Sequence, residues 1–324
     1  MVKYVLYYTF SRIEVKILIT VPVNPETHPP ANRMRKTSTK ISNMIKPYLF
    51  LLPCLFFVIL FTYYPFVKII YLGFTLVNIN GDPVEFVWLE NYIEVFKDES
   101  LVKTLLNTLK YTVITIPGTF MISLVLALLA EKKRPGSKIY QIMFAFPMAV
   151  SMSSTVMIFQ LLMNPTIGML NYLTGLNIDW FGSEKYAMVG IAILSTWMGI
   201  GINFLFLLAS LRNVPDDLLE AASLEGANYF QQFVKIKFPL ITPTVFFLLC
   251  TDLIGALMVF GPVMILTQGG PMGATETMIY WMYTEAFDRG KYGYGSAVAV
   301  VIFMIVMIFT LLTFIYERRG VHYS

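Results

Sequence analysis

The stretch EAASLEGANYFQQFVKIKFPL, residues 220–240, is a charged and glycine-broken segment that lies between two long apolar segments. The surrounding chain of 324 residues is 56% hydrophobic and only 14% charged, and its mean hydropathy is +0.66. A soluble domain carries roughly 25% charged residues. The shortage of charge therefore indicates a membrane protein, in which the quoted stretch is a polar connection.

Apolar windows long enough to cross a bilayer recur on both sides of this stretch. Crossing the hydrocarbon core takes about 20 apolar residues in a helix. Backbone groups in lipid must find their hydrogen bonds within the segment, and the windows lack the alternation of a membrane β-barrel. The sequence predicts an all-α membrane protein with six transmembrane helices, near residues 48–70, 107–130, 139–163, 187–211, 239–267 and 292–316.

The distribution of lysine and arginine predicts the orientation. These residues accumulate in cytoplasmic segments. With the N-terminus inside, 17 of the 24 fall in segments on the inner side. Both termini are therefore expected in the cytoplasm, and so is the connection between the fourth and fifth helices. The net charge of +4 then reflects topology and does not indicate nucleic-acid binding.

The expected domain organisation has three parts. Residues 46–319 form the transmembrane domain, and residues 320–324 are a cytoplasmic C-terminus. Residues 1–45 are a cytoplasmic tail, either disordered or the result of a start site upstream of Met34, because they lack the unbroken apolar region of a signal peptide. The two histidines, His28 and His322, lie near opposite termini, so no metal site, cofactor or enzymatic activity is expected.

The quoted stretch has helix signals on both sides of a glycine. Asn213 is a candidate N-cap for a first helix, Gly226 interrupts it, and Asn228 is a candidate N-cap for a second. Pro239 is expected to end the second helix. The pattern allows two interpretations. It is either an amphipathic linker at the membrane surface or a docking element, in which small residues permit close approach of a cytosolic protein.

A resemblance favours the docking element. The stretch is similar to the EAA loop of permease subunits from ATP-binding-cassette (ABC) importers, in which this loop is the coupling helix that binds the ATPase. Glu225 stands where the family prefers Asp. The matching positions are Glu220, Ala221, Ala222, Gly226, Ala227, Phe233, Ile236, Pro239 and Pro243.

Other motifs extend the resemblance over roughly residues 45–319. Asn107 and Thr108 resemble the entry to the family's second span, and LTQGGPMGAT from Leu266 resembles the T-x-G-G-P signature of the carbohydrate subfamily. Asn164-Pro165 and NFLFLLASL from Asn203 are similar to the glycerol-3-phosphate branch.

The resemblance implies a permease subunit in the cell membrane that works by alternating access. Its implied partners are a cytoplasmic ATPase dimer, a second and related permease, and an external solute-binding protein. The implied solute is a sugar, a polyol or a glycerol phosphate. The chain lacks the G-x-x-x-x-G-K-[ST] phosphate loop, so ATP hydrolysis would occur in a separate subunit.

Three polar residues are candidates for the solute pathway: Asp252, Asn203 and Gln160. An acid inside a membrane span is costly and marks function by default, although it can also serve only to pair with a neighbouring helix. Amide side chains can bind a sugar, but polar residues commonly join membrane helices as well. The alternative function is an ion-coupled secondary carrier that acts without an ATPase, with Asp252 as its relay.

Overall fold

The computed structural model describes residues 4–10, 13–19, 48–132 and 135–320, with side chains described for 48–132 and 135–315. It divides into two units, residues 1–64 and 65–324. The first unit contains an antiparallel pair of strands, β1 (Tyr4–Phe10) and β2 (Ile13–Ile19). The rest of the expected tail before residue 48 lies outside the described residues.

The described chain is mostly helical and contains five helices that are long and apolar enough to cross a membrane. A sixth span results if one bent pair of helices is counted as a single crossing. This confirms a helical membrane protein with five to six spans. The spans are Tyr48–Gly73, Glu99–Ala130, Ala187–Arg212, Tyr229–Leu266 and Tyr292–Ile315, together with the pair Ser137–Ala149 and Met152–Leu162.

The elements follow one another in a simple order. In chain order the helices are α1 (Tyr48–Gly73), α2 (Glu90–Lys97), α3 (Glu99–Ala130), α4 (Ser137–Ala145), α5 (Met152–Leu162), α6 (Met169–Thr174), α7 (Ala187–Arg212), α8 (Asp216–Leu224), α9 (Tyr229–Gln232), α10 (Phe238–Leu257), α11 (Gly261–Leu266), α12 (Met278–Tyr283) and α13 (Tyr292–Gly320). A short hairpin of β3 (Thr75–Val77) and β4 (Pro83–Phe86) follows α1. The two strand pairs are the departure from an all-α prediction.

The third predicted span, 139–163, is not one helix. α4 continues into a 3-10 turn, Phe146–Ala149, and α5 then leaves at an angle of 102°. Pro147 has no N–H to continue the helical ladder, and Val150 is extended. Ser151 then accepts a hydrogen bond from the Ser154 N–H and begins α5 as its N-cap. The apolar composition predicts the span, whereas these local signals break it.

The fifth predicted span, 239–267, also contains a break, between α10 and α11. Met258 ends α10, and α11 begins at Gly261 with Pro262 in its first turn. The Thr277 hydroxyl donates to the carbonyl oxygen of Val259 inside the break, at 3.1 Å. The freed backbone is thus satisfied by the protein, as a membrane interior requires.

Helices α3 and α7 pack with very close backbones. A Cβ on Gly199 would lie 2.8 Å from Thr119 Cγ2, and a Cβ on Gly118 would lie 3.3 Å from Thr196 Oγ1. Ser123 also donates across the pair to a backbone carbonyl of α7. Small and hydroxyl residues are typical of membrane helix interfaces, because apolar lipid gives helices no hydrophobic reason to associate.

Hydrogen bonds identify two opposite ends of this bundle. One end contains the C-terminal residue of α3, the C-terminal residue of α7 and the segment that leads into α10, because Arg212 donates to the Ala130 carbonyl and Lys237 pairs with Glu131. The other end contains the start of α3 and the start of α13, because the Tyr294 hydroxyl donates to Asp98. For brevity the first is called the inner end and the second the outer end below, as labels for the two ends of the bundle and not as statements of membrane side.

Candidate functional site

Helix α8 ends in a turn that only glycine adopts without strain. The Ala227 N–H donates to the Ala222 carbonyl, and the Gly226 N–H donates to the Ser223 carbonyl. These are the two hydrogen bonds of a Schellman cap, which places its glycine in the left-handed region. Gly226 has a φ of +85°. The interruption predicted at Gly226 is therefore a tight elbow between α8 and α9.

The second helix begins as the sequence predicts, but the first does not. Asn228 accepts from the Gln231 N–H while the Gln231 side chain accepts from the Asn228 N–H, which is a capping box. For α8 the N-cap is Pro215, and Asn213 is instead the C-cap of α7. The expectation that Asn213 caps α8 is wrong because its backbone still continues the turn of the preceding helix.

A glutamine braces the elbow from within. Gln232 Nε2 donates to the Ser223 hydroxyl at 2.9 Å and to the Ala227 carbonyl at 3.1 Å. Ser223 is on α8 and Gln232 is on α9, so the two helices are joined on both sides of Gly226. Because of these bonds, the elbow holds its own shape.

The solvent-exposed surface of the elbow is apolar at its tip and acidic along the side formed by α8. Leu224 is 90% exposed and Phe230 is 72% exposed. Glu220 lines a shallow depression on α8. Pro239 does not end the second helix. A π-helical turn, Phe233–Lys237, leads directly into α10, where Pro239 occupies the first turn.

The elbow is anchored to the inner end by charged residues that the sequence analysis did not single out. Lys237 is 4% exposed, and its Nζ lies 2.6 Å from Glu131 Oε1. The Tyr229 ring lies 5.1 Å from Lys237 Nζ, and Arg212 donates to the Ala130 carbonyl at 2.9 Å. The sequence signal for this pair is Lys237 itself, which lies within an apolar run, because a buried ammonium group needs an acidic partner.

Two of the three pathway candidates meet. Asn203 is buried on α7, and its Nδ2 donates to both carboxylate oxygens of Asp252 on α10, at 3.2 and 3.1 Å. The side-chain oxygen of Asn203, Oδ1, is buried without a hydrogen-bond partner among the described residues. Gln160 is exposed on α5 and hydrogen-bonds to neither residue within the described part of the chain.

The T-x-G-G-P motif forms a tight outer loop that α3 holds in place. Asn107 Nδ2 donates to the carbonyl oxygens of Gly273 and Glu276, at 2.9 and 3.0 Å. Lys103 Nζ donates to the Met272 carbonyl, and the Thr108 hydroxyl accepts from the N–H that begins α12. Four residues between 272 and 278 are thus hydrogen-bonded to three side chains within residues 103–108 of α3.

Two acids at the outer end have shifted pKa values. Burial opposes ionisation of Asp98, but hydrogen bonds from Ser100 and Tyr294 and the charge of Lys291 hold its pKa below the usual value. Burial raises the pKa of Glu276, and Lys103 partly offsets this effect. Asp98 is also the N-cap of α3, so its carboxylate faces the positive end of that helix.

Among the described residues, no group of three or more His, Cys, Asp or Glu side chains could hold a metal ion. The described residues form an exposed elbow that is anchored to one end of a helical bundle and a hydrogen-bonded loop at the other end. These features define a multi-pass helical membrane protein with an ordered, hydrogen-bonded element at each end.

The comparison with known families identifies the chain more closely. Residues 119–319 match the family described as binding-protein-dependent transport system inner membrane component, and the chain belongs to this family. It is accordingly a multi-pass protein of the inner membrane. The matched region contains the elbow, the α7–α10 pair and the outer loop.

Named relatives and solved structures agree with this assignment. The probable ABC transporter permease protein YurN of Bacillus subtilis (strain 168) is 33% identical over 286 residues, 86% of this chain and 98% of YurN. The sn-glycerol-3-phosphate transport system permease protein UgpA of Agrobacterium fabrum (strain C58 / ATCC 33970) is 33% identical over 291 residues, 89% of this chain and 99% of UgpA. A bacterial ABC transporter involved in the import of alginate shares the fold, with a TM-score of 0.77 at 18% identity, over 88% of this chain and 99% of its own.

Proposed function

We propose that this chain is one permease subunit of an ABC importer and that the elbow at Gly226 binds the ATPase. In this proposal a second, related permease completes the pathway, and an external binding protein delivers the solute. The chain itself does not hydrolyse ATP. ATP binding and hydrolysis in the ATPase drive alternating access by favouring one of two arrangements of the elbows.

The anchored elbow is the observation that carries this proposal. A surface linker would need only an apolar face towards the lipid. This elbow instead has a glycine-specific cap, a capping box and a glutamine brace, and it presents Leu224 to solvent at its tip. A preorganised surface of this kind loses little entropy when a partner binds it.

In this proposal the elbow is cytoplasmic, and the charge distribution supports this orientation. Arg212, Lys235 and Lys237 are all near it, and the positive-inside rule assigns such segments to the cytoplasmic side. Both termini are then cytoplasmic as well. The outer loop around Gly270 faces the binding protein.

Copurification tests the docking role. We expect the ATPase subunit to copurify with this chain and Glu220→Lys to release it, because the substitution reverses a charge on the exposed side of α8. Glu184→Lys is the matched control, since Glu184 is exposed in the segment before α7 and makes the same charge change away from the elbow. Equal retention of the ATPase by both variants would contradict the docking role.

The proposed solute is a sugar, a polyol or a glycerol phosphate. This rests on the relatives, among which UgpA is named for sn-glycerol-3-phosphate transport and the alginate transporter for a polysaccharide. Purified binding protein from the same gene neighbourhood can be screened against sugars and sn-glycerol-3-phosphate. Binding of amino acids or metal ions in place of these compounds would refute the solute class.

Asn203 and Asp252 are the proposed pathway residues at membrane depth, with Gln160 as a third candidate on α5. Asp252 is half-buried, so its carboxylate is the part of the pair that a solute can reach, while the buried Asn203 orients it through two hydrogen bonds. Asp252→Asn keeps the size of the side chain and removes its charge. We expect a raised KM for uptake. Unchanged uptake and solute preference would make the acid a structural partner of α7.

The same assays separate this proposal from an ion-coupled carrier. A carrier would transport solute in liposomes that contain this chain alone, driven by an ion gradient. The importer requires ATP and the other subunits. Uptake without ATP would refute the permease assignment, whichever residues bind the solute.

A further inference from the structure

We propose that the buried pair Lys237–Glu131, together with Tyr229, is the joint through which movement of the elbow is passed to α3 and onward to the outer loop. The inference rests on the proposed docking of the ATPase at the elbow. It assigns a positioning role to residues that are neither matching positions of the EAA loop nor pathway candidates.

The joint connects three elements at one point. Glu131 directly follows α3, Lys237 is the residue before α10, and Tyr229 is the first residue of α9. Lys237 Nζ lies 2.6 Å from Glu131 Oε1 and 5.1 Å from the Tyr229 ring centroid. Lys132 Nζ approaches the same ring at 5.9 Å. Tyr229 is also adjacent to Asn228, the cap of the elbow's second helix.

Burial makes this joint stiff. The side chains of Lys237 and Glu131 are 5% and 11% exposed, and the second oxygen of Glu131 is buried without a hydrogen-bond partner among the described residues. Separating the pair would leave two charges poorly solvated, which costs far more than separating an exposed pair. When α9 and α10 move, Glu131 therefore moves with Lys237, and the two side chains do not separate.

Helix α3 carries the displacement to the other end. It is continuous over 32 residues, and at about 1.5 Å per residue it is roughly 48 Å long. A helix kinks most readily at an interior proline, which in α3 is Pro117. The adjacent Gly118 packs against Thr196 of α7, so α7 supports α3 at this position. At its outer end Asn107 and Lys103 hold the loop around Gly273.

A fluorophore on the outer loop tests the joint without a solute. Met272 is 85% exposed, and Met272→Cys, in a background with Cys54→Ser and Cys250→Ser, gives one labelling site in this chain, which is labelled before the complex is assembled. The purified complex with its ATPase and second permease is treated with ATP and vanadate. The measured quantities are the fluorescence change and, separately, the rate of ATP hydrolysis.

The decisive variant replaces both charges, Lys237→Met with Glu131→Leu, so that no buried charge remains unpaired. We expect this complex to assemble and to hydrolyse ATP, while its fluorescence change falls about tenfold, within the range of typical coupling between sites. Lys235→Met is the matched control because Lys235 is exposed on the same π-helical turn, and it should respond like the parent. The exchanged pair, Lys237→Glu with Glu131→Lys, should retain the response because it keeps the attraction.

Several results would overturn the joint. They are a full response in the apolar double variant, loss of ATPase binding in that variant, or an exchanged pair as unresponsive as the apolar one. No response in a parent complex that has assembled would do the same. If instead the parent chain does not bind an ATPase at all, the proposed function fails first, and copurification makes this visible before any fluorescence is measured.

Discussion

The left-handed conformation of Gly226 yields a graded prediction for ATPase binding. Gly226 has a φ of +85°, and a Cβ built on it would meet no atom within 4 Å. A substitution there causes no clash within the chain, and its whole effect comes from the backbone. An L-residue in this region costs about 1–2 kcal/mol, less for asparagine and more for a β-branched residue.

This strain converts directly into affinity. A residue that disfavours the left-handed turn lowers the population of the docking-competent elbow, and the apparent affinity falls by the same factor. Since about 1.4 kcal/mol is tenfold, Gly226→Ala should weaken binding of the ATPase by up to about tenfold, the remainder of the strain being taken up by the hydrogen bonds that hold the elbow. Gly226→Asn should have a smaller effect and Gly226→Val a larger one.

The assay is a titration of the detergent-solubilised chain with purified ATPase subunit. Gly81→Ala is the matched control, because Gly81 has a φ of +86° with nothing within 4 Å and lies in the β3–β4 hairpin, away from the elbow. It should leave binding unchanged. Equal losses for Asn and Val at position 226 would refute the argument, since they would mean that any side chain collides with the partner.

Three further predictions concern the bundle. Asn107→Leu leaves two carbonyl groups of the outer loop without their donor and should cost about 1–3 kcal/mol, seen as a lower Tm of the solubilised protein; an unchanged Tm would contradict the role of these bonds. Phe204 is fully buried, so Phe204→Ala should leave a cavity of roughly 100 Å³ and cost about 2 kcal/mol, at about 24 cal/mol per Å³ of cavity. The side chain of Ile202 is 41% exposed, so Ile202→Ala should cost little in the same melts. The depressed pKa of Asp98 adds stability that is present above its unfolded pKa of about 3.9 and is lost as the pH falls through its lower folded pKa, so Asp98→Asn should remove this acid step from a pH series of melts.

The sequence predicts the spans well because apolar length alone determines them. The span predicted at 187–211 is observed at Ala187–Arg212. The span predicted at 107–130 begins earlier, at Glu99, because Asp98 caps the helix in the aqueous region and hydropathy does not register this extension. The break at Val150 depends on one proline and one serine cap, which a hydropathy window averages away.

The candidate site is predictable only where its signals are local. Gly226 and Asn228 are turn and cap residues, and their roles follow from their own conformations. The pair of Asn203 and Asp252 could be proposed as two polar residues but not as partners, since 49 positions separate them. Glu131 and Lys237 are 106 positions apart, and only the packing of α3 against the start of α10 brings them together.

The close contact between α3 and α7 also limits where cargo can travel. A glycine of one helix lies against a threonine of the other at two levels, and a Cβ added at Gly199 would lie only 2.8 Å from Thr119 Cγ2, so the contact leaves no room for a sugar ring to pass there. The two helices act as one closed wall. In the proposed importer, the route for a hydrated solute would run along a face that this wall leaves open, and the proposed second permease would enclose it from the far side.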